Sequence, residues 1–428
     1  MIEKVNSFVN GIVWGWPMLI LLVGCGIIFT FRLNFIQLRK FAFTMKNTLF
    51  KAFKKDNSAK EGELTAFQAV STALAATVGT GNIAGVALAI ATGGPGAVFW
   101  MWLSAFFGMC TKFAEVVLAV TFRERSANGE YSGGPMYYIK NGLKLPWLAY
   151  LFAFFGAFAS FGIGNMTQSN AISQTMNTTF HVDTKITGII LVILTGIVVI
   201  GGIKRIALVT ERLVPFMSIF YIIGGLVVLA LEADKIPGAF ALIFKSAFKP
   251  EAALGGALGV SLKLTMKMGI ARGVFTNEAG LGSAPIAHAA SNTDHPVRQG
   301  LWGIFEVFTD TIIVCSITAL TILTSGLWNS GLEGADLTVA AFESGFTGAK
   351  YIVSIGLLLF AFSTTLGWAY YGEKCFKFLV GDKIGKYYRF LYVPTCYLGA
   401  TGSLQLMWNI SDTLNGLMAI PNLVGLIL

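Results

Sequence analysis

The chain has 428 residues, of which 55% are hydrophobic and only 12% are charged. Soluble globular domains have about 45–50% apolar and about 25% charged residues, so this composition excludes a soluble protein and indicates several membrane spans. The net charge of +9 is typical of basic cytoplasmic loops in a membrane protein rather than of nucleic-acid binding.

The apolar segments predict a polytopic helical protein. A helix needs about 20 apolar residues to cross a bilayer. The sequence predicts eleven spans, at about 12–31, 64–91, 96–121, 147–170, 186–203, 213–231, 252–287, 298–324, 350–372, 388–405 and 408–428. The N-terminus lacks the basic start and cleavage site of a signal peptide, so the first segment is expected to remain as a span.

The distribution of basic residues predicts the orientation. With eleven spans, 21 of the 31 Lys and Arg residues fall in loops on one side of the membrane and 6 on the other. The positive-inside rule therefore predicts an outer N-terminus and an inner C-terminus. The segment 35–55 mixes Phe, Leu and Met with lysines and predicts an amphipathic helix on the inner membrane surface, in contact with anionic lipid.

Spans 2 and 7 each contain an interruption. The second carries Gly-Thr-Gly-Asn at 79–82, and the seventh carries GIARGVFTNEAGLGS at 269–283. Within lipid, backbone groups freed by a break must face protein or a watery cavity. Glycines that only allow close helix packing are the alternative for one such span, but two matching breaks favour a binding site. A dinucleotide fingerprint is the weaker alternative, because Gly79, Gly81 and Gly85 follow GxGxxxG rather than GxGxxG spacing and no strand pattern precedes them.

The two interruptions lie five spans apart, which predicts two inverted repeats, spans 2–6 and 7–11. The predicted units are 1–62, with the extra first helix and the basic segment, then 63–232 and 233–428. Paired broken helices in inverted repeats are typical of secondary transporters with a site at the bilayer midplane. The freed amides can hold a carboxylate, and the freed carbonyls can coordinate sodium.

Other polar groups within the spans leave alternatives open. Thr364 and Thr365 either bond back to their own helix or supply neutral oxygens for sodium. Asn165 and Gln168 either bind a polar ligand or mark the frayed end of span 4. Glu278 either caps a half-helix or helps to set the cation site.

Charged residues within the spans are expected to pair. An ion pair between Lys112 and Glu115, at i and i+3, is favoured near the inner interface. Asp310 and Glu306 are either proton or cation relays or members of buried ion pairs, with the pairs slightly favoured. For Lys263, Lys267 and Arg272, an outer vestibule and ion pairing are both open.

The longest motifs resemble one family. ATVGTGNIAGVA at 76–87, GGPGAVFWMW at 93–102, RGVFTNEAGLGSAPIAHAA at 272–290, AFSTTLGWAYYGE at 361–373 and DTLNGLMAIPNL at 412–423 are similar to the alanine or glycine:cation symporter family, within the amino acid–polyamine–organocation superfamily. The resemblance covers residues from about 10 to the C-terminus. It implies a leucine-transporter-like fold of eleven helices with a five-plus-five inverted repeat and discontinuous helices 2 and 7.

The resemblance also implies the site residues. Main-chain amides of Thr80 and Gly81 would hold the substrate carboxylate. The rest of the substrate pocket would be Asn82, Asn165, Gln168, Phe275, Thr276 and Trp368. The sodium ion would be bound by the backbone of Ala75, Val78 and Ala361 and the hydroxyls of Thr364 and Thr365.

The predicted function is sodium-coupled import of alanine or glycine across the cytoplasmic membrane by alternating access, with sodium as the coupling ion, no other cofactor and no nucleic acid. Alternatives within transport are proton coupling, or a glutamine or serine carrier of the same fold. A channel is disfavoured because the sequence lacks a selectivity-filter loop. An enzyme is disfavoured because the spans offer no paired nucleophile and base.

Overall fold

The computed structural model describes residues 2–52, 64–126, 129–249, 261–402 and 404–428. It is built of α-helices with one small hairpin. The N-terminal part contains α1 (Ile2–Val13), α2 (Trp16–Arg32), α3 (Ile36–Arg39), α4 (Phe41–Asn47) and α5 (Leu49–Ala52). The next part contains α6 (Ala66–Thr77), α7 (Ala84–Gly93), α8 (Ala97–Thr121), α9 (Pro135–Asn141), α10 (Pro146–Phe161), α11 (Thr167–Phe180), α12 (Thr184–Val199), α13 (Gly202–Leu231) and α14 (Ile236–Phe248).

The C-terminal part contains α15 (Leu262–Asn277), α16 (Pro285–His288), α17 (Pro296–Val307), α18 (Ser316–Thr324), α19 (Gly334–Gly345), α20 (Lys350–Val380), α21 (Asp382–Gly385), α22 (Tyr388–Tyr392), α23 (Thr395–Thr401) and α24 (Leu404–Ile427). Short 3-10 helices lie at Thr80–Asn82, Ala233–Lys235 and Leu327–Asn329. The hairpin pairs β1 (Glu124–Arg125) antiparallel with β2 (Tyr131–Ser132), with Glu124 opposite Ser132.

Seven of the predicted spans are helical stretches long and apolar enough to cross a membrane. They are Phe8–Arg32, Ala97–Thr121, Pro146–Phe180, Gly202–Leu231, Pro296–Thr324, Lys350–Val380 and Trp408–Ile427. The fifth predicted span is the shorter apolar helix Thr184–Val199. The tenth is divided between α22 and α23. The fourth is longer than predicted, because its helix continues through α11 to Phe180 and does not fray at 165–170.

Two stretches of π-helix interrupt the long helices. The turn Gly162–Met166 joins α10 to α11, and the stretch Phe308–Cys315 joins α17 to α18. Each inserts wider turns without ending the helix, a distortion found frequently at functional sites. Neither stretch is indicated by the hydrophobic pattern of the sequence.

The outer helices present apolar side chains outward. Along α12, Ile186, Ile189, Ile193 and Ile197 are exposed at helical spacing. A soluble monomer rarely exposes such a continuous apolar face, whereas a membrane helix needs one. The interior helices α8 and α20 are largely buried. Helix α8 packs against α15 and α17, and α20 packs against α10 and α13.

The segment predicted as one amphipathic helix at 35–55 is three short helices within its described part, α3 to α5. Leu38, Phe43 and Phe50 are exposed there, so the apolar face predicted from the sequence is present up to residue 50. The remainder of that segment, from residue 53, lies outside the described residues.

Candidate functional site

The first interruption is confirmed. Helix α6 begins at a capping box, in which Gln68 N donates to Thr65 Oγ1 and Thr65 N to Gln68 Oε1, both at 3.1 Å. It ends at Thr77, and Val78 is extended. The turn Thr80–Asn82 follows before α7 begins at Ala84. Gly79 N donates to Asn82 Oδ1 at 2.9 Å, so the asparagine side chain closes the turn.

The second interruption is shorter than predicted. Residues 269–277, which were assigned to the break, are the end of α15, and the chain leaves the helix only at Glu278, where φ is 56°. Gly280 and Gly282 then have φ of 90° and 82°, which favour glycine, before α16 begins at Pro285. The glycines at 269 and 273 have a packing role instead, since they lie against Ala97 and Met101 of α8.

The first interruption touches the last turn of α15, directly before the second interruption. A Cβ built on Gly81 would lie 2.9 Å from the Cβ of Thr276, which is closer than real Cβ contacts. At one end, Leu64 N donates to Ala290 O and Asn292 N to Leu64 O, so the start of α6 is joined to the chain after the second interruption. The two broken segments are therefore in contact at two places, between Gly81 and Thr276 and between Leu64 and the chain at 290–292.

A small internal cavity lies between the interruptions and the helices beside them, with about 200 Å³ of empty space. Its lining includes Thr80, Gly81, Gln168, Phe275, Thr364 and Trp368 among the residues predicted from the sequence. The lining residues that the prediction omitted are Ala76, Thr77, Gly79, Ile163 and Glu278.

Two polar side chains, Thr80 on the first interruption and Gln168 on α11, line the cavity. The hydroxyl of Thr80 is buried and has no hydrogen-bond partner among the described residues. Gln168 is held by its amide, which donates to Ile163 O at 2.9 Å across the π turn, and its Oε1 accepts from Thr80 N at 3.4 Å. A buried hydroxyl without a partner is costly, and a polar ligand in the cavity would satisfy it.

Three predicted pocket residues do not line the cavity. Asn165 donates to Tyr392 O at 2.7 Å. Asn82 donates to Asp310 Oδ1 at 2.6 Å, and Thr276 donates to the same oxygen at 3.0 Å. Each of these side chains binds the helices that surround the interruptions.

Asp310 joins the first interruption to the last turn of α15. Its carboxylate lies on the π stretch Phe308–Cys315, is fully buried and also accepts from Thr311 Oγ1 at 2.8 Å. Its described hydrogen-bond partners are neutral side chains, and no ion pair is formed by it within the described part of the chain. The pairing favoured from the sequence is therefore wrong for Asp310.

The pairing is correct for Glu306. Lys112 Nζ lies 3.4 Å from Glu306 Oε1, and His288 Nε2 lies 3.0 Å from Glu306 Oε2. The ion pair expected between Lys112 and Glu115 is not formed in this arrangement, because Lys112 reaches α17 instead. Glu115 accepts from Asn422 Nδ2 at 2.6 Å and from Gly280 N at 3.3 Å.

The oxygens predicted for sodium lie between α6 and α20. Ser363 Oγ donates to Ala75 O at 3.2 Å, and Thr364 Oγ1 donates to Val78 O at 3.4 Å. The next residue, Thr365, bonds back to its own helix, with Oγ1 donating to Ala361 O at 3.0 Å. Neutral carbonyl and hydroxyl oxygens are suitable ligands for a hard monovalent cation, so the donor set fits the predicted ion.

An ion pair and an aromatic stack lie one turn before the second interruption. Arg272 Nη2 lies 2.8 Å from Asp412 Oδ2, with both side chains 14% exposed. The Phe275 ring stacks on Trp408 at 5.4 Å between centroids, and the guanidinium of Arg272 lies 5.5 Å from the centre of the Phe275 ring. Of the two roles left open for Arg272, pairing with an acid is confirmed.

Comparison with known proteins identifies the family. The sequence profile of the sodium:alanine symporter family matches residues 1–428. The chain belongs to this family. It is 52% identical to the sodium/alanine symporter AgcS of Methanococcus maripaludis, over 100% of this chain and 94% of that protein. It is 51% identical to an uncharacterized transporter of Haemophilus influenzae, over 100% and 93% of the two chains.

The fold is that of known transporters. The structure of MhsT in complex with L-phenylalanine superposes with a TM-score of 0.59 over 85% of this chain and 89% of that chain, at 16% identity. The predicted fold class, a helical membrane protein with a transporter fold, is confirmed. As a member of a transporter family, the protein is a multi-pass membrane transporter and not an enzyme.

Proposed function

We propose that this protein imports alanine, glycine or a similar small neutral amino acid together with sodium, by alternating access around the cavity between the two interruptions. One observation carries the proposal: an unpartnered hydroxyl, Thr80, and the carbonyls of α6 meet at a single break. One side of that break faces the cavity and the other faces the hydroxyls of α20. Substrate and ion would therefore share one backbone segment, which is the requirement for coupling.

The substrate carboxylate would bind at the turn Thr80–Asn82, where α7 begins. A helix N-terminus attracts negative charge, and the Thr80 hydroxyl supplies a further donor. Gln168, Phe275 and Trp368 would enclose the substrate. Asn82, Asn165 and Thr276 would act by holding this pocket in place, since their polar groups are bound to protein.

Sodium would bind at the end of α6 against α20. Its ligands would be the carbonyls of Ala75, Val78 and Ala361 and the hydroxyls of Thr364 and Thr365. Ser363 is a further candidate, because its hydroxyl donates to the same Ala75 carbonyl. An ion there would replace the hydrogen bonds between the α20 hydroxyls and the α6 carbonyls, and it would be bound by both sets of oxygens.

The architecture proposed for this mechanism is an inverted repeat of residues 63–232 and 233–428 after an extra N-terminal helix. The N-terminus would lie outside and the C-terminus inside the cell, following the positive charge of the loops. Fusing a reporter that is active only in the cytoplasm to each terminus tests this orientation.

Uptake into proteoliposomes tests the function. Radiolabelled alanine should accumulate under an inward sodium gradient and not in sodium-free buffer. Accumulation that follows a proton gradient and ignores sodium would establish the proton-coupled alternative. Uptake indifferent to both gradients would refute coupled transport.

Substrate choice is tested by competition. Glycine and alanine should compete with labelled alanine, whereas glutamine should not, because the bulky side chains of Ile163, Phe275 and Trp368 line a small cavity. Competition by glutamine at concentrations similar to alanine would favour a carrier of larger amino acids.

A further inference from the structure

Among the described residues that line the cavity, Glu278 is the one acidic side chain. It is buried, with only 1% of the residue exposed. It follows directly after α15, so it lies where the second interruption begins. Neither capping nor the sodium ligands proposed above account for a carboxylate facing this cavity.

The backbone of Glu278 is unusual for its residue type. Its φ of 56° and ψ of 16° lie in the left-handed region, which helix ends normally fill with glycine or asparagine. A glutamate there is held at a cost in conformational energy, and such residues cluster at functional sites. The conformation turns the chain out of α15 at the residue that lines the cavity.

The carboxylate of Glu278 has little compensation within the protein. Ser283 Oγ donates to Oε2 at 2.6 Å, and the Trp368 side chain also interacts with it. None of the ion pairs between described residues includes Glu278. The nearby Lys112 is bound to Glu306. A buried carboxylate without a cation is costly, so a cation in the cavity would be stabilised there.

The two interruptions give the cavity opposite electrical ends. The turn Thr80–Asn82 precedes α7 and offers the unpartnered Thr80 hydroxyl, so this end attracts a carboxylate. The C-terminal end of α15 carries the negative end of its dipole and is followed by Glu278, so this end attracts a cation. A zwitterionic amino acid matches both ends in one orientation.

We propose that the Glu278 carboxylate faces the ammonium group of the substrate and makes an amino group a requirement for transport. This inference rests on the proposed function, because it takes the substrate to be an amino acid. Glu278 is then the specificity-determining residue for the amine, and Thr80 contacts the other end of the same molecule.

The test compares alanine with L-lactate, which replaces the amine by a hydroxyl on the same carbon skeleton. Binding of each is measured by calorimetry on purified protein in saturating sodium. The wild type should bind alanine at least about 100-fold more tightly than lactate, since a site with a buried charge rejects a ligand that leaves the charge unpaired. Lactate binding within tenfold of alanine would overturn the inference without any variant.

Glu278→Gln removes the charge and keeps an oxygen for Ser283. It should weaken alanine binding by about 30-fold or more and leave lactate binding within about threefold, so that the preference collapses. Glu278→Asp retains the charge and should restore most of the preference. Glu373→Gln, which alters a buried carboxylate bound to Lys377 and Arg389 and absent from the cavity lining, is the matched control and should leave the ratio of the two affinities unchanged.

These measurements distinguish failure of the inference about Glu278 from failure of the proposed function. Failure of the wild type to bind any small amino acid would refute the function itself. Normal alanine binding in the wild type with an unchanged ratio in Glu278→Gln would refute only the role of Glu278. A raised sodium requirement with an unchanged ratio would assign the carboxylate to the coupling cation and would also refute the inference.

Discussion

The bond between Asn82 and Asp310 gives a direct test of how the first interruption is held. Asn82→Ala removes the donor to Asp310 Oδ1 and the acceptor for Gly79 N, at 2.6 and 2.9 Å. Asn82 and Asp310 are not among the residues that line the cavity, and both bonds fix the turn that carries Thr80. The variant therefore changes the shape of the site without removing a lining side chain.

The magnitude follows from the bond to the carboxylate. A hydrogen bond to a charged group contributes about 1.5–3 kcal/mol. If that energy holds the turn in its binding conformation, its loss weakens alanine binding by roughly 10- to 150-fold. Asn82 and Asp310 are partners in one hydrogen bond. The loss of binding free energy in the double variant Asn82→Ala/Asp310→Ala should therefore be much smaller than the sum of the two single losses, whereas independent sites would give the sum.

The assay is equilibrium binding of labelled alanine to purified protein in saturating sodium, beside thermal unfolding in the same detergent. Asn170→Ala is the matched control, because Asn170 also makes two bonds, to Gly399 O and Gly402 O at 2.9 Å, and is not among the residues that line the cavity. It should lower stability and leave alanine affinity within about twofold. Equal loss of affinity in Asn82→Ala and Asn170→Ala would refute a specific role for the turn.

Three further predictions concern the cavity wall, the proposed sodium site and the ion pair between Arg272 and Asp412. Gly81→Ala should abolish alanine uptake, because its added Cβ would collide with Thr276. Gly85→Ala should leave uptake intact, because its added Cβ has no described heavy atom within 4 Å. Equal uptake by the two variants would contradict this prediction. Thr364→Val should raise the sodium concentration for half-maximal uptake at least about tenfold, since a ligand is lost, and the buried control Thr318→Val should not. Arg272→Gln should speed exchange of bound alanine by about 5- to 30-fold in a tracer experiment, because it removes the largely buried pair with Asp412 beside the lining residue Phe275. An unchanged rate would exclude a role of this pair in retaining alanine.

The breaks could be predicted from the sequence because their cause is local. The run Gly-Thr-Gly-Asn at 79–82 is a poor helix former, and Gly280 and Gly282 take a positive φ that favours glycine. The extent of the second break could not be read in the same way. Gly269 and Gly273 were counted with it, but they are helical and lie against α8, and a packing glycine has the same letter as a turn glycine.

The polar partners could not be predicted, because they are distant in the chain. Lys112 was expected to meet Glu115 one turn away and instead meets Glu306, nearly two hundred positions later. Asn165 belonged to the predicted pocket, but the π turn Gly162–Met166 directs Gln168 to the cavity and leaves Asn165 bound to Tyr392. Such turns are stabilised by the neighbouring helices, so no periodicity in the sequence indicates them.

The π stretch Phe308–Cys315 has a consequence for how this protein tolerates changes in length. One residue corresponds to about 100° of rotation in a regular α-helix, so the wider turns set the azimuth of Asp310 independently of that of the helix after it. Deleting one residue from 311–315 would regularise the helix and turn Asp310 away from Asn82 and Thr276, or α18 away from Trp102 and Tyr221. The wider turns thus allow Asp310 and α18 each to keep the orientation that its contacts require. We therefore expect single deletions here to reduce folding and transport far more than single substitutions do.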